Sequence, residues 1–248
     1  MMSKFLNPFI YHAIAQHSAR WPSVPVYAEE TYAQCSEDLI VGALLRALMV
    51  RENKELRNFQ YLEIGGNHPI SCSMTWLLHE RFGMNGVIVE ASPQLIGELK
   101  RLRPDDRILQ YAVTPDLDAD YVPFYVATDD ELSSLDRTFV EDWPGWKVDV
   151  ADCVRVPAIG INKLLEMEFG PEAPLFMSID IEGLDVEVLK TMDFSRWRPA
   201  IISAEPSEHY KPGSTRELID HFHAKGYIVM AVTDVNLIAM DVACCSPR

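Results

Sequence analysis

Short apolar runs alternate with helix-compatible segments from residue 59 almost to the end of the chain. An apolar run bounded by turn residues predicts a buried strand, whereas apolar residues spaced three and four apart predict a helix. The predicted strands are Phe59–Ile64, Val87–Glu90, Arg107–Val113, Tyr121–Ala127, Val154–Ala158, Leu175–Asp180, Ala200–Glu205, Tyr227–Val232 and Leu237–Asp241. The predicted helices are Ser73–Phe82, closed by Gly83, Pro93–Leu102, capped by Ser92, and Asn162–Glu168, Asp185–Met192 and Thr215–Lys225.

Strands that alternate with helices predict a doubly wound, mostly parallel α/β sheet. The last two strands have no helix between them, so they predict a terminal hairpin around residues 233–236 and an antiparallel strand at one edge of the sheet. Residues 129–153 are polar and irregular, which is typical of a lid or substrate loop. The Trp143 and Trp146 pair within them is equally explained by packing of a long surface loop.

The N-terminal part, residues 1–58, has a helical pattern that is broken between Trp21 and Pro25. A second helix follows Ser36, a predicted N-cap, with Glu37 and Asp38 in its first turn. This segment is too short and too interrupted to bury a core alone. We therefore expect a helical segment, 1–58, that completes the ligand pocket or forms its lid, joined to one domain, 59–248.

Composition limits the function. The formal net charge of −15 opposes binding to nucleic acid or to an anionic membrane and favours a cationic ligand. Five cysteines without a paired C-x-x-C pattern argue against a structural zinc site or a disulfide framework. No secretory leader and no apolar stretch of membrane-spanning length is evident, so we expect a cytoplasmic protein that acts on a small molecule. The composition is also compatible with a homo-oligomer.

Two apolar runs end in residues that are typical of a nucleoside-binding site. Glu63 opens the turn Gly65-Gly66-Asn67, and Glu90 ends the next predicted strand. Glycines allow a ligand to approach the backbone, and an acid at the second position accepts hydrogen bonds from ribose hydroxyls. The turn lacks both the third glycine of a dinucleotide fingerprint and the Gly-Lys-Ser/Thr of a P-loop, which favours S-adenosylmethionine over NAD or ATP.

Two further strands end in acids, Asp180 and Glu205. Because ligands of such sheets lie beyond the carboxyl ends of the strands, Glu63, Glu90, Asp180 and Glu205 are expected to converge at one ligand-binding edge.

Several motifs in order resemble the FkbM family of S-adenosylmethionine-dependent methyltransferases, over roughly residues 31–210. They are Tyr32-Ala33-Gln34-Cys35-Ser36-Glu37-Asp38, Glu63-Ile64-Gly65-Gly66-Asn67 with the following Ser71, Ser73 and Thr75, Gly86-Val87-Ile88-Val89-Glu90-Ala91, Ala112-Val113, Leu132-Ser133-Ser134-Leu135, Ser178-Ile179-Asp180-Ile181-Glu182-Gly183-Leu184-Asp185 and Arg198-Pro199-Ala200-Ile201-Ile202-Ser203-Ala204-Glu205. Glu63, Gly66 and Ala33 stand where the family usually has Asp, Ala and Ser.

The resemblance implies a class I methyltransferase (Rossmann-like) fold with a mostly parallel seven-stranded sheet. It implies O-methylation of a hydroxyl on a small polar or secondary metabolite of the sugar, glycan or polyketide type. The residues assigned to the cofactor are Glu63, Gly65, Gly66, Asn67, Ser73, Glu90, Ala91, Ala112 and Asp180.

Asp180, Glu205 and His209 are the predicted catalytic residues. Asp180 and Glu205 would suit Mg²⁺, although two carboxylates do not establish a metal site. His209 is the preferred base, His68 is its rival, and Glu182 is assigned to capping the next helix. A non-catalytic nucleoside-binding or degenerate methyltransferase-like protein is the alternative function, and the missing third glycine disfavours an NAD-linked oxidoreductase.

Overall fold

The computed structural model describes residues 30–115 and 119–245. The chain divides into two units, residues 1–31 and 32–248, and the predicted helical break between Trp21 and Pro25 lies outside the described residues. All elements below belong to the second unit.

Seven strands form one sheet in the order β3-β2-β1-β7-β8-β10-β9. All neighbours are parallel except β10, which runs antiparallel to both β8 and β9. The predicted seven-stranded, doubly wound sheet with a C-terminal antiparallel hairpin is therefore confirmed. Its strands are β1 (Gln60–Ile64), β2 (Asn85–Glu90), β3 (Arg107–Gln110), β7 (Phe176–Ile179), β8 (Ile201–Ala204), β9 (Tyr227–Val232) and β10 (Leu237–Asp241).

The remaining strands form a second, three-stranded sheet in the order β4-β6-β5. They are β4 (Ala112–Thr114), β5 (Tyr121–Ala127) and β6 (Val150–Gly160). The single strand predicted over residues 107–113 is wrong, because β3 pairs with β2 and β4 pairs with β6. At Tyr111 the chain therefore leaves the main sheet and enters the second one. Tyr111 lies beside the carboxyl end of β2.

Seven α-helices connect the strands of the described chain. They are α1 (Glu37–Glu52), α2 (Trp76–Phe82), α3 (Ile96–Leu102), α4 (Arg137–Glu141), α5 (Ile161–Phe169), α6 (Asp185–Thr191) and α7 (Ser214–Ala224). Short 3₁₀ turns lie at Leu56–Asn58, Asp130–Leu132 and Val242–Cys244. Within these residues no helix is long and apolar enough to span a bilayer.

Both faces of the main sheet are buried. One apolar cluster places α5, α6 and α7 residues such as Leu164, Leu189 and Phe222 against one face. A second cluster packs Val41 and Leu45 of α1 against the other face. Burial on both faces explains why the strands of this sheet appear in the sequence as nearly continuous apolar runs.

Two predicted N-caps do not form as expected. Ser36 lies at the start of α1 with φ at 66°, but its side chain makes no capping hydrogen bond. Instead, carboxylate oxygens of Glu37 and Asp38 accept the backbone N–H groups of Cys35 and Tyr32. Helix α3 starts at Ile96 rather than Pro93, and its N-cap position is Leu95, where no side chain makes a capping hydrogen bond. Gly83 does close α2 in the left-handed conformation, as predicted.

Candidate active site

A cavity opens where the parallel strands β1, β2 and β7 end, with about 790 Å³ of empty space including its mouth. Six of the predicted cofactor residues line it: Gly65, Asn67, Glu90, Ala91, Ala112 and Asp180.

The turn after β1 brings the backbone of β1 next to that of β7. Gly65 has a φ of +85°, and a Cβ atom built on it would lie 1.7 Å from the carbonyl oxygen of Asp180. A side chain at this position is therefore excluded both by conformation and by space. The close approach leaves the floor of the cavity formed by backbone, as a ligand-binding turn requires.

Glu90 ends β2 inside the cavity and is almost fully buried. Its Oε2 accepts the N–H of Asn67 at 2.8 Å, and its Oε1 accepts the N–H of Ser92 at 2.6 Å. Burial raises the pKa of this carboxyl, while the backbone N–H groups oppose that rise. Each oxygen still has a lone pair for a further donor, so the carboxylate can bind a pair of adjacent hydroxyls.

Three other predicted cofactor residues lie outside the cavity lining. Glu63 is buried beneath the turn, where it accepts hydrogen bonds from the Ser73 hydroxyl, the Met74 N–H and the Thr75 hydroxyl. Ser73 is consequently committed to Glu63. Gly66 faces Ile88 of β2, so it serves packing between turn and strand. These residues support the turn from below.

The carboxyl ends of β7 and β8 bring three acids together. Single carboxylate oxygens of Asp180, Glu182 and Glu205 all lie within 4.8 Å of one another. Asp180 and Glu182 also line the cavity, so the cluster borders the cofactor pocket. Oδ1 of Asp180 is buried and, within residues 30–115 and 119–245, accepts no hydrogen bond from an N–H group or a hydroxyl.

Burial and nearby negative charges raise the pKa values of these acids. Desolvation raises the pKa of Asp180 to about 6, and desolvation with the nearby charge of Asp180 raises that of Glu205 to about 10. The same two causes raise the pKa of Glu182 well above its usual range and that of Asp185 to about 8. A protonated Glu205 can donate a hydrogen bond to Asp180, so the pair shares a proton near neutral pH.

The prediction that Glu182 caps the following helix is wrong. The N-cap position of α6 is Leu184, and no side chain makes a capping hydrogen bond there. Glu182 has a φ of +56° in the turn before α6, and this conformation brings its carboxylate to the other acids. Sequence spacing alone does not show this turn, although the Glu182-Gly183 pair is compatible with it.

The sequence model of one family, described as the Methyltransferase FkbM domain, matches residues 63–229. This range spans the turn after β1, Glu90 and all three clustered acids. The chain belongs to the FkbM methyltransferase family. The resemblance inferred from its motifs is thereby confirmed.

Solved structures of methyltransferases are similar to this FkbM methyltransferase. The METTL16 methyltransferase domain is 13% identical, with a TM-score of 0.47 over 88% of this chain and 71% of that one. The O-methyltransferase from Bacillus cereus, in complex with SAH, is 12% identical, with a TM-score of 0.42 over 96% and 92% of the two chains. An RNA methyltransferase from Salinibacter ruber, in complex with S-adenosyl-L-homocysteine, is 8% identical, with a TM-score of 0.35 over 81% and 89%. Among curated proteins no match is found.

The excursion between β5 and β6 supplies one wall of the pocket in this FkbM methyltransferase. Its residues in the cavity lining are Asp130, Glu131, Ser133 and Leu135. The prediction of an irregular stretch over 129–153 is wrong in part, because α4 lies within it and β6 begins at Val150. Sequence reasoning missed these four residues as pocket lining, and the Leu132-Ser133-Ser134-Leu135 motif was the signal that could have indicated them.

The same excursion is fastened to the loops that carry the acids. The Ser134 hydroxyl donates to the carbonyl of Glu182 at 2.7 Å, and the Tyr210 hydroxyl donates to Asp136 at 3.1 Å. Lys211 donates to the carbonyl of Gly183 at 2.7 Å. These bonds hold the loops after β7 and β8 and the excursion as one wall around the carboxylate cluster.

The two candidate histidines have different surroundings. His209 lies on the loop after β8 against the ring of Trp143, with centroids 4.6 Å apart, and it does not line the cofactor cavity. Partial burial lowers the pKa of His209, which keeps its ring neutral at physiological pH. His68 is engaged in its own turn, because its Nδ1 accepts the N–H groups of Ile70 and Ser71.

Proposed function

We propose that this FkbM methyltransferase transfers a methyl group from S-adenosylmethionine to a hydroxyl oxygen of a small polar or secondary metabolite of the sugar, glycan or polyketide type. The observation that carries this proposal is the cluster of three acids, Asp180, Glu182 and Glu205, at the border of the cofactor cavity. A hydroxyl is a poor nucleophile at neutral pH, so its methylation requires an adjacent group that accepts its proton.

The cavity fits the cofactor through its own residues. Glu90 would bind the two ribose hydroxyls, and the N–H of Asn67 keeps that carboxylate in place. Gly65 would leave room for the cofactor over the turn, and Ala91 and Ala112 are small apolar residues of the same cavity lining. When bound, S-adenosylmethionine would supply an activated methyl group, which passes to the acceptor oxygen as S-adenosylhomocysteine leaves.

Asp180 is the group best placed to receive the acceptor proton. One of its oxygens is buried without an N–H or hydroxyl donor from the described residues, and burial raises its pKa to about 6, so it is largely ionised at pH 7. Glu205 beside it holds its own proton and can stabilise the ionised Asp180 through a hydrogen bond. Asp180 would thus act as general base, with Glu205 as its support.

His209 is the alternative base for the same reaction. Its ring is neutral because partial burial lowers its pKa, which is the state that accepts a proton. Its contacts with Trp143 and Phe139 nevertheless hold it among aromatic rings. We therefore propose that His209 and Trp143 border the acceptor, while the carboxylates carry the proton transfer.

A divalent cation is a second proposal for this cluster. Three carboxylates with oxygens within 4.8 Å, one of them a buried oxygen of Asp180, provide the hard oxygen ligands that Mg²⁺ prefers. Asp180, Glu182 and Glu205 would hold the ion, which would lower the pKa of an acceptor hydroxyl. Mn²⁺ binding, followed by electron paramagnetic resonance in wild type and in Glu182→Gln, tests the ligand set without reference to activity.

The decisive experiment measures S-adenosylhomocysteine release with a panel of hydroxylated metabolites. Asp180→Asn should lower turnover by about 10²-fold or more, because it keeps the shape but cannot accept the proton. The exposed Asp220→Asn removes the same charge from α7 and should leave turnover unchanged. If EDTA abolishes activity and Mg²⁺ restores it, the cation is part of the machinery; normal turnover of Asp180→Asn would disprove this site.

The alternative function is a non-catalytic nucleoside-binding protein. Tight binding of S-adenosylhomocysteine without methyl release on any hydroxylated acceptor would favour it. The net charge of −15 disfavours nucleic acid as acceptor, because a polyanion would be repelled. Small hydroxylated molecules are therefore the first panel to be tested.

The N-terminal segment, residues 1–58, is proposed to complete the cofactor pocket. Gln34 lines the cavity, just before α1. Gln34→Ala should weaken S-adenosylhomocysteine binding while the melting temperature stays close to that of wild type, as measured by calorimetry. Unchanged affinity would remove this role from the segment.

A further inference from the structure

We infer that Arg103 is a positioning residue for the cofactor turn: it holds residues 67–75 in the shape that the cavity needs. The inference rests on the cofactor pocket proposed above. Arg103 lies at the end of α3, outside the cavity lining, and is fully buried. A buried guanidinium is costly unless all its donors are used, so its partners indicate what it is for.

The guanidinium joins fixed strands on one side to the turn on the other. Its Nε donates to Asp106 at 2.7 Å, and one terminal nitrogen donates to the Tyr61 hydroxyl at 2.7 Å. The other terminal nitrogen donates to the carbonyl of Pro69 at 3.0 Å. The nitrogen that bonds to Tyr61 also donates to Thr75 at 2.9 Å, so both terminal nitrogens reach the turn.

The anchor side is rigid. Asp106 also accepts the N–H of Gly86 in β2 at 2.7 Å and the Tyr61 hydroxyl at 2.6 Å. Tyr61 lies in β1, and both strands are central to the main sheet. Arg103 therefore transmits the position of β1 and β2 to the turn.

The turn depends on such side-chain bonds. Residues 67–74 belong to no helix or strand, and the only hydrogen-bonded backbone turn among them is at Ser71 and Cys72. Side chains hold other parts of this backbone: Glu63 accepts the N–H of Met74, and Glu90 accepts that of Asn67. Without Arg103, the carbonyl of Pro69 would lose its link to the sheet, and the Thr75 hydroxyl would keep only its bond to Glu63 of β1. Asn67 and Cys72, which line the cavity, lie on this turn.

Arg103→Lys is the informative variant. Lysine keeps the positive charge that Asp106 and Glu63 require, but its single nitrogen cannot donate to Asp106, Pro69 and Tyr61 together. We expect the dissociation constant of S-adenosylhomocysteine to rise about tenfold or more, since one or two hydrogen bonds that order the turn are lost. The KM for S-adenosylmethionine should rise in parallel, whereas kcat at saturation should change less than threefold.

The matched control is Arg101→Lys, on the exposed face of the same helix, where Arg101 pairs with Glu98. It should leave the affinity unchanged. Hydrogen exchange gives a readout that a purely structural role would not produce: Arg103→Lys should expose amides of residues 67–75 selectively, while β7 and β8 stay protected. If Arg103→Lys does not fold, Thr75→Val removes one of the two turn-side partners of Arg103, together with a donor to Glu63, and should show the same selective exchange and weaker binding.

The outcomes separate the two proposals. Wild type that does not bind S-adenosylhomocysteine would overturn the proposed pocket and this inference with it. Wild type that binds, with a folded Arg103→Lys or Thr75→Val that binds equally well, would overturn the role of Arg103 alone. If both variants lost protection from hydrogen exchange uniformly across the sheet, Arg103 would only stabilise the fold as a whole, and its positioning role would likewise be overturned.

Discussion

Replacing Glu205 by glutamine should stabilise this protein at alkaline pH. The pKa of Glu205 is raised by burial and by the charge of Asp180 to about 10, against about 4.5 when unfolded. Between these values the folded state keeps one proton that the unfolded state loses. Stability therefore falls as pH rises, by about 1.4 kcal/mol per pH unit from this one group. Glutamine is neutral at every pH and still has an N–H donor for Asp180, so the penalty disappears.

From pH 6 to pH 8 the free energy of unfolding of Glu205→Gln should therefore gain about 3 kcal/mol relative to wild type. Urea denaturation at pH 6, 7 and 8 measures it, with EDTA present so that no cation stabilises the folded state. A smaller gain would follow if water reaches the folded carboxyl, but the sign would be the same.

Glu208→Gln, three positions along the same loop, is the matched control. Glu208 accepts the N–H groups of Gly213 and Thr215 at the start of α7, and these bonds lower its pKa to about 2. Both states are ionised above about pH 6, so this variant should lower stability by the same amount at every pH tested. Parallel pH profiles for wild type and Glu205→Gln would refute the reasoning on the buried acid.

Three more predictions concern the pocket. Glu90→Gln should weaken S-adenosylhomocysteine binding by about 2–4 kcal/mol in isothermal titration, since two hydroxyl bonds to a charged acceptor are impaired; equal affinity would remove Glu90 from the ribose site. Gly65→Ala should lower the melting temperature and abolish cofactor binding, because its Cβ would lie 1.7 Å from the carbonyl oxygen of Asp180; a stable variant that binds normally would contradict this geometry. Lys211→Met releases the carbonyl of Gly183 next to the acids, so we expect a marked fall in kcat and only a small change in melting temperature. Steady-state kinetics and thermal melts of the same variant would separate the two effects.

The site was only partly visible in the amino-acid pattern. The turn at Gly65 and the acids Glu90, Asp180 and Glu205 could be located because each follows or ends an apolar run, and parallel strands bring their carboxyl ends to one edge. Glu63 satisfies the same rule, yet it lies beneath the turn. The pattern places a residue near an edge, but whether a side chain turns toward the cavity or toward the core depends on the partners it finds.

Local pattern determined most of the strands and helices, and the terminal hairpin, whose bounds Tyr227–Val232 and Leu237–Asp241 match the structure. Periodicity reports which positions are buried, and burial of a whole strand is a local property of the sequence. The motif order further determined the family. Both follow from residues close together in the chain.

Tertiary structure alone decided the contacts between distant residues. In the sequence, Arg103 is one of several basic residues at the end of a predicted helix. Only the packing of β1, β2 and the turn shows that its guanidinium is buried. The exit of the chain from the main sheet at Tyr111 depends on pairing with β6, more than 40 residues later. The positive φ of Glu182 and the shared proton of Asp180 and Glu205 likewise arise only when separate strand ends meet. Such contacts join residues far apart in sequence, and a local pattern carries no information about them.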